Sequence, residues 1–222
     1  MAHVPHLLLP RPWAAELLEV AAATRSHLET VLRRADSAVT YTDGNGTFGS
    51  GCYHAGIVER GEETDVAASS PAVTLVVAAP HSSDRQRFVV EKAAELGVTE
   101  LAWTTSKHSQ ARLPQHRKSE AWAVSALEQS RGSHLMVVRE GAGLDRLGLG
   151  GLVLLCDRDG GPMPAPGERV TIVVGPEGGL ADDEAAPDWI RVSLGPTILR
   201  TETAAIVAAA MALAVGRAAS RD

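Results

Sequence analysis

Two short segments near the C-terminal end of this chain carry the residue types that a small-molecule site needs. The first, Gly175-Pro176-Glu177-Gly178-Gly179-Leu180, directly follows the β-branched run Val170-Thr171-Ile172-Val173-Val174. The second, Leu194-Gly195-Pro196-Thr197-Ile198-Leu199-Arg200-Thr201-Glu202-Thr203-Ala204, opens an alanine-rich stretch. Each reads as strand, Gly/Pro loop and helix start. Loops of this kind bring bare backbone donors and acceptors to a ligand, because glycine has no side chain to hold it away. Two of them close in sequence predict one pocket with two walls. Arg200, Thr201 and Glu202 serve no obvious packing purpose there.

Local physics sets the elements that must position these groups. Pro176 fixes its φ and lacks a donor, so the strand ends there. Gly178 and Gly179 permit positive φ. Leu180 to Glu184 is expected to start a helix, with Asp182, Asp183 and Glu184 near its positive end. Thr201 or Thr203 is the expected N-cap of a helix over Ala204 to Val215, with Glu202 in or beside its first turn. In that position Glu202 either serves the helix dipole or takes part in chemistry. GPEGG alone also describes an ordinary turn. A Walker-type lysine and GxGxxG spacing are both absent, which ranks a phosphate-binding α/β enzyme low.

Taken together, the two segments resemble the C-terminal signature of the ribosomal RNA small-subunit methyltransferase E family, SPOUT-class enzymes with a trefoil-knotted S-adenosylmethionine site. Further matches lie upstream. Arg87 to Val98 looks like the family helix ending K-A-x-E-L-G-V, and Ala126-Leu127-Glu128-Gln129-Ser130-Arg131 resembles its A-x-E-Q-S helix. His27 to Arg33 and Thr42 to Gly46 resemble its N-terminal H-x-x-x-V-L-R and D-G-x-G pattern.

That resemblance implies an α/β fold: a SPOUT trefoil-knot parallel sheet with helices on both faces over residues 71–222. A small PUA-like β-barrel, an RNA-binding domain, would precede it over residues 1–70. It implies methyl transfer from S-adenosylmethionine to N3 of a uridine in small-subunit (16S) ribosomal RNA, by a homodimer. Cofactor contacts would come mostly from backbone at Leu155, Gly175, Gly178, Leu194, Gly195, Ile198 and Leu199. Arg200 would contact substrate or stabilise the uracil anion, and Glu177 or Glu202 would orient groups or accept a proton. The competing reading is a SPOUT-fold RNA-binding or ribosome-assembly factor with weakened turnover. Some positions depart from the pattern. Pro80-His81-Ser82 stands where a lysine is usual, Thr105-Ser106-Lys107-His108-Ser109 replaces an S-E-R-S-like element, and Arg131-Gly132 reverses the usual order. The family's N-terminal aromatic start is missing.

Composition bounds these readings. The 222 residues allow one large domain or two smaller ones. The formal charge of -6 argues mildly against a nucleic-acid partner, but local clusters matter more than the sum. Lys107, Arg112, Arg117, Lys118 and Arg131 form one basic stretch, and Arg25, Arg33 and Arg34 another. Each is either a solvated face or a phosphate-contacting surface. Arg25, Arg33, Arg34, Lys107, Arg112 and Arg131 are the expected RNA contacts. No uninterrupted apolar stretch is long enough for a membrane span, and the N-terminus lacks a signal-type core, so the cytoplasm is expected. Cys52 and Cys156 read as buried thiols. His27 and His81 read as structural, and no HExxH spacing marks a metal site.

The remaining pattern orders the elements. Val39 to Thr42 and Gly51 to Val58 read as strands around the turn Asp43 to Gly46, and Arg60 to Ser70 as a linker. Strands follow at Val73 to Ala79, Leu101 to Thr104, Met136 to Val138, Leu152 to Cys156 and Val170 to Val174. Ile190 to Leu194 precedes the last helix. Helices are expected over 84–96, capped by Ser83 or Asp84 and ended by Gly97, and over 117–131. The alternation predicts a covered parallel sheet.

Overall fold

A computed structural model describes residues 4–13, 15–31, 36–109 and 112–219. The chain divides into two units. One runs to Ala68 and takes in Leu127–Leu135, and the other holds the rest. The change of unit at Ala68 falls two residues from the expected boundary. The return of Leu127–Leu135 to the first unit is invisible in a pattern read along the chain.

The first unit is a five-stranded sheet in the order β1-β3-β4-β5-β2, from β1 (His6–Leu8), β2 (Leu17–Glu19), β3 (Asp36–Thr42), β4 (Thr47–His54) and β5 (Ile57–Asp65). Helix α1 (Ala22–Val31) lies between β2 and β3 in sequence. Strands β3, β4 and β5 pair antiparallel, and β1 runs parallel to β3. Two expectations are corrected here. The run Gly51 to Val58 is broken by a turn at Ala55-Gly56, where both residues take positive φ. Arg60 to Asp65 is strand and not linker. Its exposed polar side chains resemble a linker, but its backbone pairs with β4, and Leu17–Glu19 pairs with Ile57–Glu59.

Tyr41 anchors the core of this unit. It is fully buried, and its hydroxyl donates to Glu63 at 2.7 Å. Burial, and then that bond, push the phenol up to about 12. Arg60 holds Glu63 through two bonds of 2.7 and 2.9 Å. A Cβ at Gly49 would lie 2.4 Å from the Tyr41 ring, so glycine makes the room. The Asp43 turn is built as expected. Buried Asp43 accepts the amides of Asn45 (2.8 Å) and Thr47 (3.1 Å) on Oδ1 and Arg11 Nε (2.8 Å) on Oδ2.

The second unit is a six-stranded, all-parallel sheet in the order β11-β9-β10-β6-β7-β8. Its elements are β6 (Ala72–Ala78), α2 (Ser83–Leu96), β7 (Glu100–Thr105), α3 (His116–Ser130), β8 (Val137–Gly143), β9 (Leu152–Gly161), β10 (Arg169–Val174), β11 (Ile190–Val192) and α4 (Thr201–Ala219). The last turn of α3 belongs to the first unit. The expected strands are all present, as are the expected helices over 84–96, 117–131 and the C-terminal stretch; the helix expected to start at Leu180 is not. Gly97 ends α2 with φ 86°, as its sequence predicts. The α2 N-cap is Ser82, one residue before the expected Ser83 and two before Asp84. Central strands β6 and β10 are buried on both faces, which explains their unbroken apolar runs.

Helix α4 packs on β6, β10 and α2, with Ala205, Ala208, Ala209 and Ala212 fully buried. By length and mean hydropathy, 1.4 over 18 residues, it could cross a membrane, but the same alanines line this core. Cover over Val76, Ala102, Leu155 and Val173 comes from Leu144, Leu147, Leu180, Ala185 and Trp189. These belong to a 3₁₀ turn and loops, not to the α-helix expected on that face.

Burial pushes the Asp43 carboxyl up, but the Asn45, Thr47 and Arg11 donors outweigh it and leave the group below its ordinary range. Its stabilising effect is therefore present above the unfolded pKa near ~3.9 and is lost as pH falls through the folded value. Asp43→Asn is expected to cost about 1–3 kcal/mol in urea unfolding at pH 7. The gap between variant and parent should shrink as pH falls below the carboxylate range. A pH-independent gap would contradict the assignment.

Candidate functional site

All six strands of the second unit point their carboxyl ends the same way, and a ligand in an open α/β sheet binds outside such ends. A cleft of about 380 Å³ opens there. Its walls come from the middle of β9, the loop after β10, the loop after β11 and the first turn of α4. Every expected cofactor residue lines it: Leu155, Gly175, Gly178, Leu194, Gly195, Ile198 and Leu199. Glu177 and Thr201 line it too. The two loops read from the sequence thus form two walls of one pocket.

Thr201 joins them. It is the first residue of α4, not its cap, and its hydroxyl donates to the carbonyl of Gly175 at 3.2 Å. Arg200, just before the helix, gives its carbonyl to the amide of Ala204 at 2.8 Å. The expected threonine cap at 201 or 203 is corrected on this ground: the Thr201 hydroxyl is committed to the neighbouring strand end.

No helix follows GPEGG. Residues 181–189 are turns, and the reason is local. Glu184 Oε2 accepts the Ala181 amide at 2.9 Å, Glu184 Oε1 accepts the Lys107 amide at 2.8 Å, and Pro187 forbids continuation. Asp183 pairs with the Lys107 ammonium. The Gly179 carbonyl accepts from His108 Nδ1 at 3.2 Å, so that nitrogen carries the proton. The 105–109 segment therefore braces the first cleft loop. Only Gly179 of the glycine pair has positive φ, at 75°. A Cβ on Gly178 would make an ordinary 3.5 Å contact with His108.

The expected catalytic residues separate. Exposed Glu177 faces the cleft; exposed Arg200 lies between its second loop and α4, off the lining. Glu202 is turned inward and 9% exposed. Its Oε1 lies 3.4 Å from Arg85 Nε on α2, and its Oε2 is buried without a hydrogen-bond partner among the described residues. Arg85 has no marked sequence signal.

The expected RNA contacts scatter as well. Lys107 is neutralised by Asp183. Arg25 is exposed on α1 against Gly56, and Arg112 is exposed. Arg131 donates to the Val4 carbonyl at 3.0 Å. Its φ of 55° puts an arginine in the left-handed conformation that glycine adopts more easily. Arg33 and Arg34 lie outside the described residues. Cys52 is exposed, which corrects the buried-thiol expectation: alternate residues of β4 face outward. Cys156 is half-buried at the cleft wall, and desolvation pushes its thiol up to about 12.

A family model described as an RNA methyltransferase domain matches residues 68–213, nearly two thirds of the chain. This chain belongs to the RNA methyltransferase family. A relative from Mycobacterium bovis named ribosomal RNA small subunit methyltransferase E is 33% identical over 163 residues, 62% of this chain and 61% of that protein. The match thus spans less than two thirds of the relative. The structure of ribosomal RNA small subunit methyltransferase E from Neisseria gonorrhoeae, bound to S-adenosyl methionine, superposes with a TM-score of 0.83 at 25% identity, covering 94% of this chain and 96% of that one. A probable rRNA-methyltransferase from Porphyromonas gingivalis shares the fold, with a TM-score of 0.84 at 23% identity over 97% and 100% of the two chains. The resemblance read from the two C-terminal segments is borne out at the level of the family.

Gly195 has φ 138° and open space around its missing Cβ, so a substitution there meets backbone strain and no clash. Gly195→Ala is expected to lower stability by about 1 kcal/mol or more. Gly178→Ala should be nearly neutral, and Thr201→Val should cost about 1 kcal/mol by leaving the Gly175 carbonyl unmatched. Calorimetric melting ranks the three. A Gly178 variant as damaging as the Gly195 variant would refute the reading.

Proposed function

We propose that this protein transfers a methyl group from S-adenosylmethionine to N3 of a uridine in small-subunit ribosomal RNA. The observation that carries this is the convergence of all seven expected cofactor residues on one cleft at the carboxyl ends of a parallel sheet. Family membership supports the reaction class, and S-adenosyl methionine bound in the gonococcal structure supports the cofactor. The cleft also fits the group chemically. Leu155, Leu180, Leu194 and Leu199 offer apolar surface for a heteroaromatic ring, and the two Gly-rich loops offer bare peptide groups for its polar parts. We assign the first unit the role of a PUA-like RNA-binding barrel, and the second the SPOUT trefoil knot.

When bound, S-adenosylmethionine supplies an electrophilic methyl group on a positively charged sulfur. The residues of this chain supply position and charge. The Gly175–Thr201 tie fixes the separation of the two walls, so that the uracil nitrogen can be lined up with the methyl carbon. The N3 proton must leave before or during attack. We assign that proton to Glu177, which lines the cleft, and stabilisation of the remaining anion to Arg200, which adjoins the second loop just outside the lining. Glu202 pairs with Arg85 and lies off the cleft lining, so the proton is not assigned to it.

Half-buried Val207, Ala210 and Met211 and exposed Ala214 form an apolar stripe along α4. A second copy of the chain would cover it, giving a cytoplasmic homodimer. Met211→Asp is expected to shift the sedimentation profile from dimer to monomer; a parent protein that sediments as a monomer at micromolar concentration removes the dimer.

The deciding experiment incubates the protein with labelled S-adenosylmethionine and unmodified small ribosomal subunits, then maps the labelled base. Label on a uridine N3 is the expected result. Cofactor binding without transfer would favour an RNA-binding or assembly factor. Arg200→Ala should slow transfer about 10²- to 10³-fold while leaving calorimetric binding of S-adenosylhomocysteine unchanged. Transfer at the parent rate would remove Arg200 from the chemistry.

A further inference from the structure

The edge of the parallel sheet leaves its ladder beside the cleft. Strand β11 pairs Arg191 with Leu155 and then Val192 with Gly161, so residues 156–160 of β9 face no residue of β11. Even a one-residue bulge re-aims side chains and is common near active sites. Here five residues depart at the point where β9 reaches the pocket, and Cys156, Asp157 and Arg158 line it.

This excursion is held at both ends. A Cβ on Gly160 would lie 2.6 Å from the Val192 backbone, so glycine allows the return. At the other end Asp157 Oδ1 accepts the Asp159 amide at 2.9 Å, and Oδ2 pairs with Arg191, itself a cleft residue. Each carboxylate oxygen keeps a lone pair after these contacts, and the side chain remains 25% exposed. The Asp159 amide, and then Arg191 against the opposing effect of burial, hold the carboxyl below its usual range, so it is an acceptor at neutral pH. Glu177 and Asp182 also line the cleft, but both are exposed. Asp157 is the acid fixed through both oxygens.

We propose that Asp157, held by Arg191, reads the ribose of the cofactor by accepting hydrogen bonds from its vicinal hydroxyls. A diol offers two donors, and an ionised carboxylate offers only acceptors. The same pairing marks ribose in other nucleotide sites. This assignment rests on the S-adenosylmethionine reading above, and the test separates the two.

Calorimetry on the full chain would use S-adenosylhomocysteine and its 2′,3′-dideoxy analogue. The parent protein should prefer the ribose form about 10- to 100-fold. D157A should bind both ligands with the affinity the parent shows for the analogue, and the retained analogue binding certifies that the variant is folded. D157N, which keeps the size and one acceptor, should fall between. A D157A protein that keeps the parent's preference overturns the role of Asp157 and leaves the cofactor reading standing. Equal loss of both ligands overturns it as well, because Asp157 would then support the wall and not the sugar. A parent protein that binds neither ligand overturns both.

Discussion

The bond from the Thr201 hydroxyl to the Gly175 carbonyl is short in reach and wide in consequence. It joins the end of the most buried strand to the first turn of the longest helix. Strand β10 lies between β9 and β6, with Val170, Ile172 and Val173 out of contact with water. Helix α4 is pressed on β10 and β6 through alanines that permit close approach. With strand and helix fixed by packing, the loops that leave them have little freedom at their roots. A cleft made of peptide groups needs that constraint, because backbone cannot change rotamer to follow a ligand.

Around these roots, charge fixes the loops at their tips. Glu184 spends its two oxygens on amides of Ala181 and Lys107, and Asp183 and Gly179 tie the same loop to Lys107 and His108. Exposed ion pairs contribute little stability each, so their value here is positional. Ile198 is 79% exposed at the cleft, an apolar side chain with no cover of its own. One wall is thus braced by polar contacts, and the other presents the apolar Ile198 side chain outward.

The first unit shows the same economy on a smaller scale. Tyr41, Glu63 and Arg60 form a chain in which each polar atom is satisfied by the next, so a phenol can sit in the core. Two glycines opposite, at 49 and 51, give it room. Arg131 shows the opposite choice. Its reversed order with Gly132 puts a bulky residue in a left-handed conformation, and the guanidinium is used on the Val4 carbonyl.

Much of this protein was legible in its residues. The strand and helix positions of the second unit, the αL end of α2 at Gly97 and the two cleft loops follow from local rules. Apolar runs, proline stops and glycine turns act over a few residues. The failures share a cause. Leu180 to Glu184 looked like a helix start until Glu184 was taken by Ala181 and by distant Lys107. Arg60 to Asp65 looked like a linker because its partner strands lie elsewhere in sequence. Thr201 looked like a cap, yet its hydroxyl serves residue 175. Asp157 and Arg191 are 34 residues apart, and the polar run Asp157-Arg158-Asp159 after an apolar strand was their one weak signal. Sequence determined which backbone could turn, extend or coil. Tertiary structure decided which polar atoms would meet, because a hydrogen bond or ion pair depends on distance in space, and separation along the chain carries almost no record of it.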